Sequence, residues 1–208
     1  MTHDENTAME RSYHPTGAEL WFLLSLLDDR PAPLFWPMGE PAENWPLVAV
    51  RLLDAGLAVR GENGLTPAAP LAPLLDTVKS ADRAALVFLR TPGGAVDAVL
   101  YHNRVGGVLL RRESAARYTL QALDTAALLA ALPPLDADGT PCREDAATAA
   151  LVELFAPDCT RLARWQWLDT GCGCKVRRQT PDGVTTAPDG PDIRASLAAA
   201  LTGEDAPC

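Results

Sequence analysis

The 208-residue chain carries 27 acidic against 18 basic side chains, a formal net charge of −9, with 48% apolar and 22% charged residues. This composition excludes a disordered profile and allows one large domain, or two small intimate ones, with a real core. It also argues against non-specific attraction to a phosphate backbone or an anionic lipid surface.

Residues 1–16 begin MTHDENTAMERSYHP, polar and acidic, without the basic-then-apolar pattern of a secretory signal; they are expected to be a disordered tail. Apolar stretches are broken by Arg, Asp or Pro before the ~18 residues that a membrane span needs. The expected compartment is therefore the cytoplasm, where cysteines remain thiols.

Glu19–Asp29 has helical length, with Leu20, Leu23, Leu24 and Leu27 on one face. The next stretch, RPAPLFWPMGEPAENWP, holds five prolines and cannot continue the helix, yet Phe35, Trp36 and Trp45 give it surface to pack. A second helix starts after Asn44 as N-cap, with Pro46 in its first turn and Gly56 just past its end. A short strand at Leu57–Arg60, a turn at Asn63-Gly64 and a returning Leu65-Thr66 follow. Another helix is expected from Pro73 to Ala81. Helix, short strand, Gly turn, returning strand and helix is the local grammar of a winged helix.

From Arg83 the period becomes two. Ala84–Arg90, Ala95–Asn103, Val105–Glu113 and Arg117–Leu123 read as four strands with short links, hence an antiparallel meander. Asp124-Thr125 caps an Ala/Leu-rich helix ending at Leu132. The run PPLDADGTPC is the best internal boundary. Beyond it the pattern predicts a helix over Glu144–Phe155, strands at Leu162–Thr170, Cys174–Thr180 and Val184–Ala187, and a closing helix over Ile193–Leu201.

The expected fold class is therefore α+β, an antiparallel sheet flanked by helices, pseudo-duplicated, with a winged-helix-like N-terminal portion. The expected units are a half at 17–133, a linker at 134–142, a smaller half at 143–202 and a tail at 203–208.

Candidate chemistry is sparse. Cys172 and Cys174 in TGCGCK share a strand face, and Cys142 and Cys159 would complete a tetrahedral zinc set. The usual pair of C-x₂₋₄-C knuckles is missing, and cysteine is a common small core residue, so structural thiols are expected and no metal or cofactor is called. A Cys–His or Ser–His pair would have to use His102, because His3 and His14 lie in the tail; neither Ser25 nor Ser114 sits in a nucleophile elbow. Phosphate-cradling glycine motifs are absent. Asp28-Asp29 and Asp136–Asp138 read as helix-end and linker acids. No catalytic residue is expected.

A DNA-binding winged helix needs a basic recognition helix. Here Arg51 stands against Glu43 and Asp54, and Arg60 against Glu62, so the shape is expected to serve packing or protein contact. Two features are candidates for partner binding. Residues 83–117 carry six Arg against Asp97 and Glu113, with Arg111, Arg112 and Arg117 at a strand junction. Trp165 and Trp167, in RWQWLDT, share one strand face, either as interface anchors or as core.

The run RLLDAGLAVRGENGLTPAAPLAPLLDTV, the strands ALVFLR, AVDAVLYHN and VGGVLLRR, and then RYTLQALDTAALLAALPPL resemble the EspG family, the secretion-associated chaperones of ESX (type VII) systems. The resemblance covers about residues 52–132 and lies in the order and character of the elements. It implies an α+β fold around a pseudo-duplicated antiparallel sheet, no catalysis, and binding of a secreted helical substrate in the cytoplasm. Members recognise substrate partly through an extended loop between sheet strands; the matching loop here, HNRVGG, is short.

Overall fold

The computed structural model describes residues 12–27, 44–91, 94–132, 147–169, 174–187 and 190–202. The chain is α+β, built on an eight-stranded antiparallel sheet and a separate two-stranded one.

Helix α1 (Gly17–Ser25) begins with a reciprocal cap. Thr16 Oγ1 accepts the Glu19 amide, and Glu19 Oε2 accepts the Thr16 amide at 2.8 Å, which satisfies two otherwise orphaned donors. Helix α2 (Trp45–Asp54) is capped by Asn44, whose Oδ1 accepts the Leu47 amide. Its end is a Schellman turn: Gly56 adopts φ 67°, the Leu57 amide donates to Leu52 O, and the Gly56 amide donates to Leu53 O. The hairpin β1 (Ala58–Gly61) and β2 (Gly64–Pro67) follows, then α3 (Ala72–Lys79).

Strands β3 (Arg83–Thr91), β4 (Gly94–His102), β5 (Gly107–Arg112) and β6 (Tyr118–Ala122) form a meander, followed by α4 (Thr125–Ala131). A second meander, β7 (Thr148–Phe155), β8 (Arg161–Asp169), β9 (Cys174–Thr180) and β10 (Gly183–Ala187), is followed by α5 (Gly190–Thr202). Antiparallel pairing of β3 with β7, from Ala84↔Phe155 to Leu89↔Ala150, joins the two into one sheet with spatial order β10-β9-β8-β7-β3-β4-β5-β6.

The described part of the helix expected over Glu144–Phe155 is a strand. In β7, Ala150, Val152 and Leu154 are buried while Leu151, Glu153 and Phe155 are only half-buried. That alternation matches a pleat with one core face, and pairing with β3 and β8 supplies, apart from two bulges on the β8 side, the backbone bonds over Ala150–Phe155 that a helix would make internally. Residues 144–146 and the expected linker at 134–142 lie outside the described residues. Part of the expected N-terminal tail is also structured. Tyr13 and Thr16 bridge Leu120 and Arg117 in the antiparallel sense, so residues 12–16 cover the free edge of β6.

The sheet has two different faces. On the front, Ala84, Val99, Tyr101, Val108, Leu110, Tyr118 and Leu120 of the first meander meet α1, α2 and α3 through Leu20, Leu23, Leu24, Leu52, Leu71 and Leu75. On the back, a second core spans both meanders: Val87, Leu100, Val152, Trp165, Trp167 and Val176 lie with Leu132, Leu197 and Leu201. Each such buried aliphatic contributes about 1.5–3 kcal/mol by leaving water. No helix among the described residues is long and apolar enough to cross a membrane.

Candidate protein-interaction surface

Alternation along β5 separates the arginines that the sequence groups. Arg111 pairs with Ala98 and points to the back, whereas Arg112 pairs with Asp97 and points to the front. Arg112 Nη2 donates to Asp97 Oδ2 at 2.8 Å. Arg111 donates through Nε and Nη2 to a single oxygen, Glu113 Oε1, at 2.8 and 2.6 Å. Arg117 lies exposed beyond the bend at residues 113–116, and its backbone carbonyl accepts from the Glu113 and Ser114 amides. Two of the three cations are therefore partnered at the surface, where such pairs contribute little to stability and little net field.

Glu113 is also the centre of a polar chain. Thr119 Oγ1 donates to Glu113 Oε1 at 2.7 Å, and His14 Nδ1 lies 3.1 Å from the same hydroxyl. The Thr119 hydroxyl, followed by the Arg111 guanidinium, holds the Glu113 carboxyl below its ordinary value. This chain fastens the amino-terminal segment to β6.

Trp165 and Trp167 are 0% and 1% exposed, in the back core. Neither ring reaches the surface, and both indole N–H groups are buried without a hydrogen-bond partner. Arg178 lies over the Trp165 ring, 5.7 Å from its centroid. The physical reason is register: Trp165 faces Val152, and Trp167 faces Ala150, across the middle of the sheet.

The loop singled out by the family resemblance is a compact turn ordered by Asn103. Its Oδ1 accepts the Val105 and Gly106 amides, and its Nδ2 donates to Ser80 Oγ at 2.8 Å. Val105 at the tip is 93% exposed. A second exposed apolar region lies where α2 meets the hairpin. Leu47, Val50 and Val59 are each about half exposed, beside a groove of about 480 Å³ lined by Pro46, Ala49, Val50, Leu53 and Leu65. The helix face that a DNA-binding winged helix would make basic is apolar here.

Of the four cysteines that a zinc set would need, Cys142 and Cys172 lie outside the described residues. Cys159 is exposed with φ 65°, and Cys174 is buried, its thiol pushed up by burial and by Asp169. Among the described residues no three His, Cys, Asp or Glu side chains converge as a metal site would require. His102 is held below its ordinary value mainly by burial, against the opposing pull of Asp82.

Sequence reading missed one surface altogether. On the front of the second meander, Leu151, Glu153, Arg164, Gln166, Lys175, Arg177 and Gln179 belong to neither core, although β7 and β8 are interior strands. Arg161 and Arg164 lie 3.2 and 3.7 Å from Glu153. These residues are spread over three strands, and only strand pairing assembles them.

No protein-family model matches the chain, and no curated protein matches it. Among solved structures it is similar to the Mycobacterium tuberculosis type VII secretion system chaperone EspG5, in the structure of its complex with the PE25–PPE41 dimer. The similarity covers 92% of this chain and 95% of that chain, with a TM-score of 0.60 and 13% sequence identity. At that identity the likeness is one of fold: this chain has the architecture seen in a secretion chaperone.

Proposed function

We propose that this protein is a non-catalytic, cytoplasmic protein-binding factor that acts as a chaperone or accessory protein for a type VII secretion substrate, a helical export protein. The observation that carries the reading is the fold similarity to EspG5 over 92% of the chain, which agrees with the element order that resembles the EspG family in residues 52–132. The pseudo-duplicated plan and the winged-helix-like portion belong to this proposal. They are supported by two meanders each followed by a helix, and by the succession of α2, β1 and β2. Exposed Leu47, Val50, Val59 and Val105 support protein contact over nucleic-acid contact, since an apolar, nearly neutral face gains nothing from phosphate.

Co-expression with helical export heterodimers encoded by the same organism, followed by size-exclusion chromatography, tests the proposal. Co-elution with one such heterodimer at fixed stoichiometry is expected. Separate elution of every heterodimer tried, with the chain folded, would remove the chaperone reading.

A further inference from the structure

We infer that the front face of β7, β8 and β9 is a docking surface for an acidic, amphipathic helical segment of a protein partner. The inference rests on the protein-binding function proposed above and specifies the chemistry of the partner. The related face of the first meander is covered by α1, α2 and α3, which bury its apolar residues Ala84, Val99, Tyr101, Val108, Leu110 and Leu120. On the second meander the same face leaves Leu151, Glu153 and Phe155 only half-buried, though Leu168 beside Lys175 is buried, and no described helix shares a core with them. Three strands at ~4.8 Å spacing give a floor about 14 Å wide, enough for one helix of ~10 Å diameter.

Charge selects the occupant. Among the described residues, Arg161, Arg164, Lys175 and Arg177 share this face with one carboxylate, Glu153, in a chain whose net charge is −9. Glu153 is taken up by Arg161 and Arg164. Lys175 and Arg177 have no ion pair among the described residues. Leu151 and Phe155 supply the apolar floor between the cations. A helix with one apolar stripe and acidic flanks complements that pattern, whereas the strongly negative remainder of the molecule repels an extended polyphosphate.

The test uses the full chain and fluorescent helical peptides of about 18 residues, one built from Glu and Leu with an apolar stripe and one with Lys replacing Glu. Anisotropy is read at low and high salt for wild type and for the double variant Lys175→Glu/Arg177→Glu. Both side chains lie on a strand surface, and an unchanged melting temperature confirms that the variant is folded. The acidic peptide is expected to bind, to weaken with salt, and to lose about tenfold or more in affinity on the double variant. Equal binding of both peptides, or binding indifferent to the double variant, overturns the inference. Preference for a single-stranded oligonucleotide over the acidic peptide overturns it in favour of nucleic acid. If an export heterodimer co-elutes as well with the double variant as with wild type, the chaperone reading stands and this surface is wrong. If it co-elutes with neither, the chaperone reading fails while the peptide assay still decides the surface.

Discussion

Tyr13 and Leu120 exchange both backbone hydrogen bonds, the Tyr13 amide to Leu120 O at 2.9 Å and the Leu120 amide to Tyr13 O at 2.8 Å. A segment that reads as tail thus closes one edge of the sheet. Tyr13→Pro removes one donor and leaves the Leu120 carbonyl short of a partner, at an expected cost of about 1–3 kcal/mol. Urea denaturation should show the loss, and hydrogen exchange should show reduced protection at the Leu120 amide. Unchanged exchange there would mean that the pairing does not persist in solution.

Trp165 and Trp167 are expected to behave as core residues. Alanine at either position should destabilise the protein by about 3–5 kcal/mol, through lost burial and a residual cavity. Phenylalanine keeps much of the apolar volume and removes a buried donor that has no partner, so Trp167→Phe should cost far less than Trp167→Ala. Thermal melts of the two variants decide the matter: equal losses would refute the packing account. Loss of partner capture by a fully stable double alanine variant would instead restore these residues as interface anchors.

Gly107 is fixed by contact rather than by backbone angle. A Cβ there would lie 2.8 Å from Leu123 Cδ2 and 3.0 Å from Leu123 Cβ. Gly107→Ala should therefore overpack the junction between β5 and Leu123, just past β6, at about 1–3 kcal/mol. Gly61→Ala, where the nearest atom is at 3.5 Å, serves as the tolerated control. Similar melting temperatures for the two would contradict the contact argument.

Glu113 links stability to pH. Its folded carboxyl is held below the ordinary value of 4.5, first by the Thr119 hydroxyl and then by Arg111. The unfolded chain therefore binds a proton more readily, and this contribution is complete above pH 4.5 and disappears as pH falls through the depressed folded value. Thr119→Val should flatten the acid limb of the stability curve, measured by melting temperature on descending pH. An acid limb identical to wild type would show that the hydroxyl does not govern the carboxyl.

Thiol reactivity should divide by position. Cys159 is exposed on the β7–β8 turn, whereas Cys174 is buried with its thiol raised. In a native alkylation time course read by peptide mass spectrometry, Cys159 should label first and Cys174 only on unfolding. Equal rates would place Cys174 at the surface.

The helices and the first meander were legible because local chemistry and tertiary packing agree there. Asn44, Gly56 and Asp124 stand at the ends they were assigned, and period-two alternation from Ala84 onward matches the pleat. β7 was misread because DAATAALVELF offers an apolar face at either period; what decides it is β3 on one side and β8 on the other, which no local window contains. The segment at Tyr13 was missed because its pairing is with Leu120, far away in sequence. The arginine cluster looked contiguous, but adjacent residues on a strand point to opposite faces, and Arg111 and Arg112 were separated for that reason. The basic front face of β8 and β9 went unseen because only strand register, Arg164 opposite Gln179 and Gln166 opposite Arg177, places Arg164 and Arg177 on one face.

Native mass spectrometry of the tagged protein, captured from its own cells under reducing conditions, tests the central claim most directly. A discrete heterocomplex with a helical export protein, at one stoichiometry and without bound metal, is expected. A bare chain carrying one zinc mass would contradict it and return Cys142, Cys159, Cys172 and Cys174 to the centre of the problem; co-purifying duplex DNA would contradict it in favour of a winged-helix regulator.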